Sequence, residues 1–367
     1  MTSIAFVDTE IEPKSHKILN IGGTKNDGTS FHKASVPEFV QFLNGVQFIC
    51  GHNILNHDIK YIGKAIDDAG INLSNIIDTL YLSPLLFPTK PYHKLLKDDK
   101  LQSDERNNPL NDSIKAKELF DDEITAFKQT EKTLQQIFYL LLAEKKEFQA
   151  FFQFIDYKQE KESRNFFGFM DFNNKTTNIE KIIRQKFENE ICEHADLTKI
   201  ISTYPIELAY CLSLISSFIR SNSAYSITPP WVLKNYPEVE QIMLRLRNKP
   251  CVWGCDYCNK ALDIHAGLKR FLGFDSFRTY GNEPLQEKAV KVAVDNKSIL
   301  AVFPTGGGKS ITFQVPALMS GESVNGLTVV ISPLQSLMKD QVDNLEKNGI
   351  TQAVTINGLL DPVERAK

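Results

Sequence analysis

A glycine-rich loop in the last quarter of the chain has the residue types needed to hold a phosphate chain. It reads Pro304-Thr305-Gly306-Gly307-Gly308-Lys309-Ser310. Three consecutive glycines allow a tight turn whose backbone N–H groups point inward, where they and a following helix N-terminus can bind a β-phosphate. Lys309 is then expected to pair with the β- and γ-phosphates, and Ser310 to bind Mg²⁺. The loop predicts a nucleoside triphosphate site.

Four carboxylates in the first third of the chain predict a second, metal-dependent site. Asp8 and Glu10 form an Asp-x-Glu pair, which a strand presents on one face. Asp58 and Asp112 each stand at the start of a predicted helix. Carboxylates that share a face repel each other unless a cation joins them. Four such acids suit two Mg²⁺ or Mn²⁺ ions, one activating water and the other stabilising the leaving oxygen.

Three of the six cysteines, Cys251, Cys255 and Cys258, crowd into eight positions. Their C-x3-C-x2-C spacing is also the letter pattern of radical-SAM enzymes, but those need a long barrel for which the sequence leaves no room. Three thiolates at this spacing favour Zn²⁺, with His265 or a residue beyond Lys367 as the fourth ligand. An iron–sulfur cluster and unmetallated core cysteines remain alternatives.

The elements that must position the four acids are those of an α/β domain over residues 1–130. Short apolar runs predict strands at Ile4–Val7, Ile18–Ile21 and Gln47–Cys50. Apolar residues at helical spacing predict one helix from Asp58 to a stop at Gly70, and another from Asp112 through Phe127.

The remainder of the chain is predicted to contain three further segments. Residues 131–248 lose the strand pattern and become aromatic-rich and charged, which predicts a helical connector domain. Residues 249–266 form the cysteine-rich segment. In 267–367, a strand at Ser298–Phe303 leads through the glycine loop into a helix at Lys309–Met319, and the apolar run 327–331 predicts another strand. The chain is therefore predicted to be a multi-domain α/β protein.

The last hundred residues resemble superfamily 2 helicases, and RecQ-family DNA helicases in particular. Phe303 stands where the strict phosphate-loop motif has glycine, and Ser332–Gln341 resembles motif Ia of the family. Leu272–Arg278 together with Gln286 resembles the segment with which RecQ helicases recognise adenine. The resemblance implies an incomplete RecA-like P-loop domain in which Gln286 reads the base of ATP. The seven residues between Arg278 and Gln286 exceed the family's usual spacing, so an ordinary helix role for Gln286 stays open.

A complete RecA-like motor also needs an Asp-Glu pair to hold Mg²⁺ and an arginine finger from a second lobe. Neither that Asp-Glu pair nor a second lobe follows the Ser332–Gln341 segment before Lys367. We therefore expect this chain, as part of a longer helicase, to bind ATP weakly without hydrolysing it or unwinding DNA.

The four acids together resemble the DnaQ-like, or DEDD, 3′→5′ exonucleases, which implies an RNase H-like domain. Asp8 and Glu10 match the first motif of that family. Asp58 matches the second, at the longer of the known spacings from Asn53. Asp78 begins an Asp-Thr-Leu sequence that matches a further, usually structural, feature of the family.

The third motif departs from the family pattern. Counting back from Asp112, Asn107 stands where one branch of the family has histidine, and Asn108 where the other has tyrosine. His93 with Asp98 has the correct separation and is the alternative base, although its surroundings resemble the helix that precedes the motif. Without an imidazole we expect slow cleavage, because general-base catalysis contributes about 10²- to 10⁴-fold.

Composition restricts partners and location. The formal net charge is −3, so any DNA-binding surface must be a local patch. No signal peptide and no long apolar run is visible, which predicts a cytoplasmic protein without a membrane partner. We expect an ATP-dependent DNA helicase with an attached exonuclease, acting on single-stranded DNA or 3′ ends in repair or recombination. The rival is a non-catalytic DNA-docking module, and RNA is a weaker substrate candidate.

Overall fold

The computed structural model describes residues 2–95, 108–157, 175–220 and 228–357. The strands are β1 (Ile4–Ile11), β2 (Ile18–Lys25), β3 (Ser30–Lys33), β4 (Phe48–Gly51) and β5 (Ile76–Asp78). The helices before residue 158 are α1 (Val36–Phe42), α2 (Ile59–Asp68), α3 (Thr79–Leu86), α4 (Pro109–Gln129), α5 (Lys132–Leu142) and α6 (Gln149–Phe154), with a 3-10 turn at Leu73–Asn75.

The later helices lie on both sides of a π-helical turn at Leu244–Asn248. They are α7 (Lys175–Lys186), α8 (Leu197–Thr203), α9 (Pro205–Arg220), α10 (Pro230–Asn235), α11 (Glu238–Met243), α12 (Asp256–Ala261), α13 (Ile264–Leu272), α14 (Leu285–Val294), α15 (Ile311–Val324) and α16 (Gln335–Lys347). No helix among the described residues is long and apolar enough to cross a membrane.

The strands form one mixed sheet in the order β3-β2-β1-β4-β5. β1 pairs antiparallel with β2, and β2 with β3, whereas β1, β4 and β5 run parallel. The carboxyl ends of the three parallel strands therefore meet at one edge, which is where ligands bind in open α/β sheets. The α/β prediction and its three strands are confirmed. β3 and β5 were missed because four and three residues are too short for a periodic signal.

The sheet is covered on both faces because its strands alternate inward and outward side chains. On one face, Ala5 and Val7 of β1 join the core that also contains residues of α1 and α2. On the other, the Phe6 ring lies 5.9 Å from Phe120 of α4. α2 was predicted correctly, and its end is fixed by Gly70, whose positive φ of 78° suits glycine.

The described chain divides into two compact units, and their boundaries differ from the four predicted segments. The first comprises Met1–Lys186, Leu197–Ser217 and Thr228–Val239, and the second Phe187–Asp196, Phe218–Ile227 and Glu240–Lys367.

Residue 130, where the sequence predicts a domain boundary, lies inside the first unit, and helices beyond it pack there. Tyr210 donates a hydrogen bond to the Tyr81 carbonyl at 3.0 Å, and Ser213 donates one to Leu85 at 2.5 Å. The aromatic side chains that suggested a separate connector thus bury themselves against the helices of the sheet domain.

In the second unit, the helix after the glycine loop is confirmed as α15, but the two predicted strands are wrong. Ser298–Phe303 and 327–331 are irregular, and Leu300 and Ile331 are 91% and 92% exposed. An apolar run becomes a strand only when a neighbouring strand satisfies its backbone groups. Among the described residues, the only sheet is the one in the first unit.

Candidate functional site

The Asp-x-Glu pair lies on β1 and faces α4. Within the β1–β2 ladder, Asp8 stands opposite Gly22 and Glu10 opposite Asn20. Alternation along the strand places Asp8 and Glu10 on the same face as Phe6, the residue that contacts α4. Both acids are half-buried, whereas Thr9 between them is buried on the opposite face.

Gly22 brings the start of α4 against this strand pair. A Cβ atom at Gly22 would lie 2.1 Å from both the Leu110 nitrogen and the Pro109 carbonyl carbon, so only glycine permits this approach. Asp112 is in the first turn of the same helix. Because Gly22 is the cross-strand partner of Asp8, the first turn of α4, with Asp112, is drawn to the strand that carries Asp8 and Glu10.

Asp58 is held by the strand residue between the two acids. One carboxylate oxygen of Asp58 accepts hydrogen bonds from the Thr9 backbone N–H at 2.9 Å and from the Thr9 hydroxyl at 2.6 Å. The Asp58 side chain is 2% exposed. Thr9 faces away from α4, so Asp58 reaches β1 from the face opposite Asp8 and Glu10 and supports the backbone that joins them.

Asp78 stabilises the conformation of the loop that precedes Asp58. The buried Asp78 carboxylate accepts hydrogen bonds from the backbone N–H groups of Asn53 at 2.8 Å, Leu80 at 3.0 Å and Leu55 at 3.1 Å. Burial raises the pKa of Asp78 to about 7, and the three hydrogen bonds oppose that rise. Asp78 thus fixes the connection between β4 and α2, which is a structural task.

The candidate general bases that the structure describes, His93 and Asn108, form hydrogen bonds outside the group of acids. His93 is buried, and its Nδ1 lies 2.8 Å from the Ser83 hydroxyl on α3. Burial lowers the pKa of His93 to about 4. Asn108 caps α4, because its side-chain oxygen accepts from the Leu110 N–H at 3.0 Å. Asn107 and Asp98 lie outside the described residues.

Two imidazoles that the sequence did not single out lie close to the carboxylates. His57 Nδ1 is 3.5 Å from an Asp58 oxygen, and this contact raises the pKa of His57. His32 Nε2 is 2.8 Å from the amide nitrogen of Asn20, the cross-strand neighbour of Glu10. His57 directly precedes Asp58 in the sequence, which is the signal that would have found it.

The phosphate loop closes on itself through its lysine. Lys309 Nζ donates to the Phe303 carbonyl at 3.1 Å, and Gly306 and Gly308 have positive φ angles of 75° and 65°. Ser310 stands at the N-terminus of α15. Its hydroxyl accepts a hydrogen bond from the Gln341 side chain at 2.8 Å. The predicted phosphate-binding residues are therefore gathered at one helix start.

Gln286 connects the predicted adenine-recognition segment to this loop. Its side chain is fully buried, with Nε2 donating to the Gly308 carbonyl at 2.9 Å and Oε1 accepting from the Arg278 N–H at 2.8 Å. Arg278 also donates to the Gly306 carbonyl at 3.2 Å, and the Tyr280 hydroxyl donates to Gly307. Both ends of the Gln286 amide thus bind protein groups in this conformation.

The cysteine cluster contains a fourth thiol, from Cys192. The sulfur atoms of Cys192, Cys251, Cys255 and Cys258 all lie within 4.8 Å of one another, and no other comparable set of three or more metal-ligating groups occurs among the described residues. His265 was the wrong candidate for a fourth member, because its imidazole lies 3.1 Å from Glu287 instead. Cys192 precedes Cys251 by 59 positions, a separation that gives no local sequence signal.

Comparison with known proteins identifies the C-terminal part of the chain. The DEAD/DEAH box helicase family matches residues 283–366. That segment is homologous to RecQ-family DNA helicases. The chain is 40% identical over 103 residues to ATP-dependent DNA helicase Q5 of Rattus norvegicus, covering 28% of this chain and 10% of the relative.

Two bacterial RecQ helicases are also similar to this chain. ATP-dependent DNA helicase RecQ of Haemophilus influenzae is 48% identical over 83 residues, covering 23% of this chain and 12% of the relative. RecQ of Bacillus subtilis is 46% identical over 87 residues, covering 23% and 13%. The chain thus spans about a tenth of the length of the relatives it matches. No solved structure matches it.

Proposed function

We propose that this chain is part of a DNA-processing enzyme that joins the ATP-binding segment of a RecQ-type helicase to a metal-dependent 3′→5′ exonuclease domain. Homology over the C-terminal segment supports the helicase half. The single observation that carries the nuclease half is the approach of α4 to Gly22, which brings Asp112 toward Asp8 and Glu10. The substrates of the proposed enzyme are single-stranded DNA or DNA 3′ ends. It is proposed to act in the cytoplasm, in DNA repair or recombination.

In the helicase half, Lys309 and Ser310 are the groups that receive the nucleotide. Lys309 would hold the β- and γ-phosphates of ATP in place of the Phe303 carbonyl, and the Ser310 hydroxyl would hold the magnesium ion in place of Gln341. Gln286 keeps the loop joined to Arg278, and its buried amide must leave one of these partners before it can read a base.

Lys309→Ala tests this assignment. Loss of a charged hydrogen-bond donor to phosphate costs about 1.5–3 kcal/mol, so the affinity for a fluorescent ATP analogue, measured by anisotropy, is expected to fall by at least tenfold. Lys297→Ala is the matched control, because Lys297 is exposed and pairs only weakly with Asp295. Equal affinity in wild type and Lys309→Ala would remove the nucleotide site from this loop.

In the nuclease half, Asp8, Glu10 and Asp112 are the proposed metal ligands, and they must move together when the ion binds, because their oxygens do not form a ready metal-ligating set among the described residues. Asp58, the fourth acid of the predicted motif, supports the strand between Asp8 and Glu10 through Thr9. Support comes from the position of Asp8 and Glu10 near the carboxyl end of β1, the strand that is flanked by β2 on one side and by β4 on the other. Ligands bind at such a point in open α/β sheets. The sheet order β3-β2-β1-β4-β5 also agrees with an RNase H-like domain. Bound Mg²⁺ or Mn²⁺ would supply an activated water and neutralise the leaving oxygen.

No candidate base predicted from the sequence is free to act among the described residues, which predicts a slow enzyme. His93 is buried beside Ser83, and Asn108 caps α4, so neither is positioned to accept a proton from water. We therefore propose cleavage about 10²- to 10⁴-fold below that of an exonuclease with an imidazole base. His57, whose pKa is raised by its contact with Asp58, is the imidazole placed to contact a DNA phosphate.

A non-catalytic DNA-docking module is the second candidate, favoured by the structural roles of His93 and Asn108. The two proposals differ in one outcome, cleavage of bound DNA. If Asp8→Ala and the wild type bind a 3′-tailed DNA equally and both leave it intact, the docking module is correct. If only the wild type shortens it, the enzyme proposal stands.

A further inference from the structure

The cluster of Cys192, Cys251, Cys255 and Cys258 has the dimensions of a four-thiolate zinc centre. With zinc–sulfur bonds of about 2.3 Å, tetrahedral geometry places ligand sulfurs about 3.8 Å apart. Cys192 and Cys255 are separated by 3.9 Å, and all four sulfurs lie within 4.8 Å of one another. A cluster of several iron atoms would hold its cysteines farther apart. The dimensions therefore favour a single ion.

The surroundings of the sulfurs also suit thiolates. The Cys255 N–H donates to the Cys251 sulfur at 3.3 Å, and the Cys258 N–H donates to the Cys255 sulfur at 3.5 Å. Backbone N–H groups of Glu193 and His194 hydrogen-bond to Cys255 and Cys192. Such contacts orient metal ligands and stabilise their negative charge. Cys50 and Cys211, the other two cysteines, lie elsewhere in buried positions.

The same region holds the end of the phosphate-loop helix through Arg247. Arg247 is 7% exposed, and its Nε donates to the carbonyl of Ser323, in the last turn of α15, at 2.6 Å. The last carbonyls of a helix lack partners within it, and a cation there is favourable. Arg247 also donates to the Glu190 carbonyl at 2.8 Å, two residues before Cys192.

Two more contacts tie Arg247 to the cysteines. The Tyr257 hydroxyl, between Cys255 and Cys258 in the sequence, donates to the Arg247 carbonyl at 2.7 Å, and the guanidinium lies 5.2 Å from the Tyr257 ring centre. The Cys192 N–H donates to the carbonyl of Leu246 at 2.8 Å. Arg247 therefore lies between two chain segments, one carrying Cys192 and the other carrying Cys251, Cys255 and Cys258.

We propose that Cys192, Cys251, Cys255 and Cys258 bind one Zn²⁺, and that this ion fixes the pocket in which Arg247 anchors the C-terminal end of the phosphate-loop helix. The ion joins Cys192 to Cys251, which lie 59 positions apart in the sequence. Without it, the two segments that enclose Arg247 are free to separate, and the helix loses its C-terminal anchor. The link to ATP rests on the proposed nucleotide site, whereas the metal site and the anchor do not.

The metal is tested by elemental analysis of the purified chain and by the cobalt-substituted protein, whose absorption reports thiolate ligation. We expect one zinc per wild-type chain, much less in Cys192→Ala, and one zinc in the control Cys211→Ala, which removes a buried thiol outside the cluster. Iron with sulfide, no metal, or undiminished zinc in Cys192→Ala would each overturn the four-thiolate zinc site. If Cys192→Ala does not fold, the cobalt-substituted wild type still provides the test, because thiolate-to-cobalt charge-transfer absorption is expected and its absence would refute thiolate ligation.

The anchor is tested by hydrogen exchange of the peptide covering Ile311–Val324, with zinc bound and after chelation. Chelation is expected to accelerate exchange in the last turn about tenfold, and Arg247→Met to do the same with zinc retained. Arg245→Met, at an exposed neighbour, is the control. Unchanged exchange in both cases would refute the anchor. Faster exchange should be accompanied by weaker binding of an ATP analogue. If the zinc-loaded wild type does not bind the analogue at all, the proposed nucleotide site is contradicted and the anchor is not.

Discussion

Replacing Gly22 with alanine should separate α4 from the strand that carries Asp8. The added Cβ would lie 2.1 Å from the Leu110 nitrogen and 2.3 Å from the Pro109 carbonyl oxygen. Both atoms belong to the backbone, so no side chain can rotate away. Restoring ordinary contact requires a movement of about 1 Å of the first turn of α4, and overpacking of this kind costs about 1–3 kcal/mol.

The first turn of α4 carries Asp112, so the movement acts directly on the proposed metal site. A displacement of about 1 Å in a catalytic group can reduce activity about 10²-fold. We expect Gly22→Ala to remain folded, with a lower melting temperature, and to lose about two orders of magnitude in metal-dependent exonuclease activity. Calorimetric titration with Mn²⁺ should show weaker binding in the variant, because one ligand is withdrawn from the other two.

Gly63→Ala is the matched control. Gly63 lies within α2, where an added Cβ meets only the Ile59 side chain at 3.5 Å, an ordinary contact. Alanine in a helix interior is favoured over glycine by about 1 kcal/mol, so this variant should be at least as stable as the wild type and fully active. If Gly22→Ala keeps wild-type activity and Mn²⁺ affinity, the contact at Gly22 does not position Asp112.

Three further predictions concern buried polar contacts. The pKa of His93 in the folded protein, about 4, lies below the ordinary value of 6.5, so the buried neutral imidazole stabilises the fold fully above pH 6.5 and this contribution is lost as the pH falls toward 4. Chemical denaturation should therefore show that the free energy of unfolding of the wild type falls by up to about 3 kcal/mol more than that of His93→Gln between pH 6.5 and pH 4. Thr9→Val leaves Asp58 without its hydroxyl donor and should lower the free energy of unfolding by about 1–3 kcal/mol, whereas an unchanged value would contradict the 2.6 Å contact. Gln286→Ala should weaken ATP-analogue binding severalfold by releasing Gly308 from Arg278, and unaltered binding would show that this bridge does not shape the loop.

The sequence was sufficient where a local pattern determines the structure. The periodic apolar residues of α2 and the stop at Gly70 depend on neighbours a few positions apart, and both were predicted. The phosphate loop and its following helix were predicted for the same reason. Asp8 and Glu10 lie on one strand face because alternation along a strand is a local property.

Contacts between distant segments were beyond local patterns. Cys192 joins the other cysteines only because the segment containing it folds against Leu246. Gly22 has no sequence signature that reveals α4 above it. The apolar run Ser298–Phe303 has strand character, yet a strand also needs a partner, and the described residues of its unit provide none.

The acids on β1 and α4 are proposed to form a metal-dependent exonuclease site. The most direct measurement is a time course of the purified chain with 5′-labelled single-stranded DNA and Mg²⁺ or Mn²⁺, with products separated at single-nucleotide resolution. We predict a slow ladder of fragments shortened from the 3′ end, absent without metal and absent in Asp8→Ala. Intact DNA in both metals, or the same ladder from Asp8→Ala, would contradict the claim.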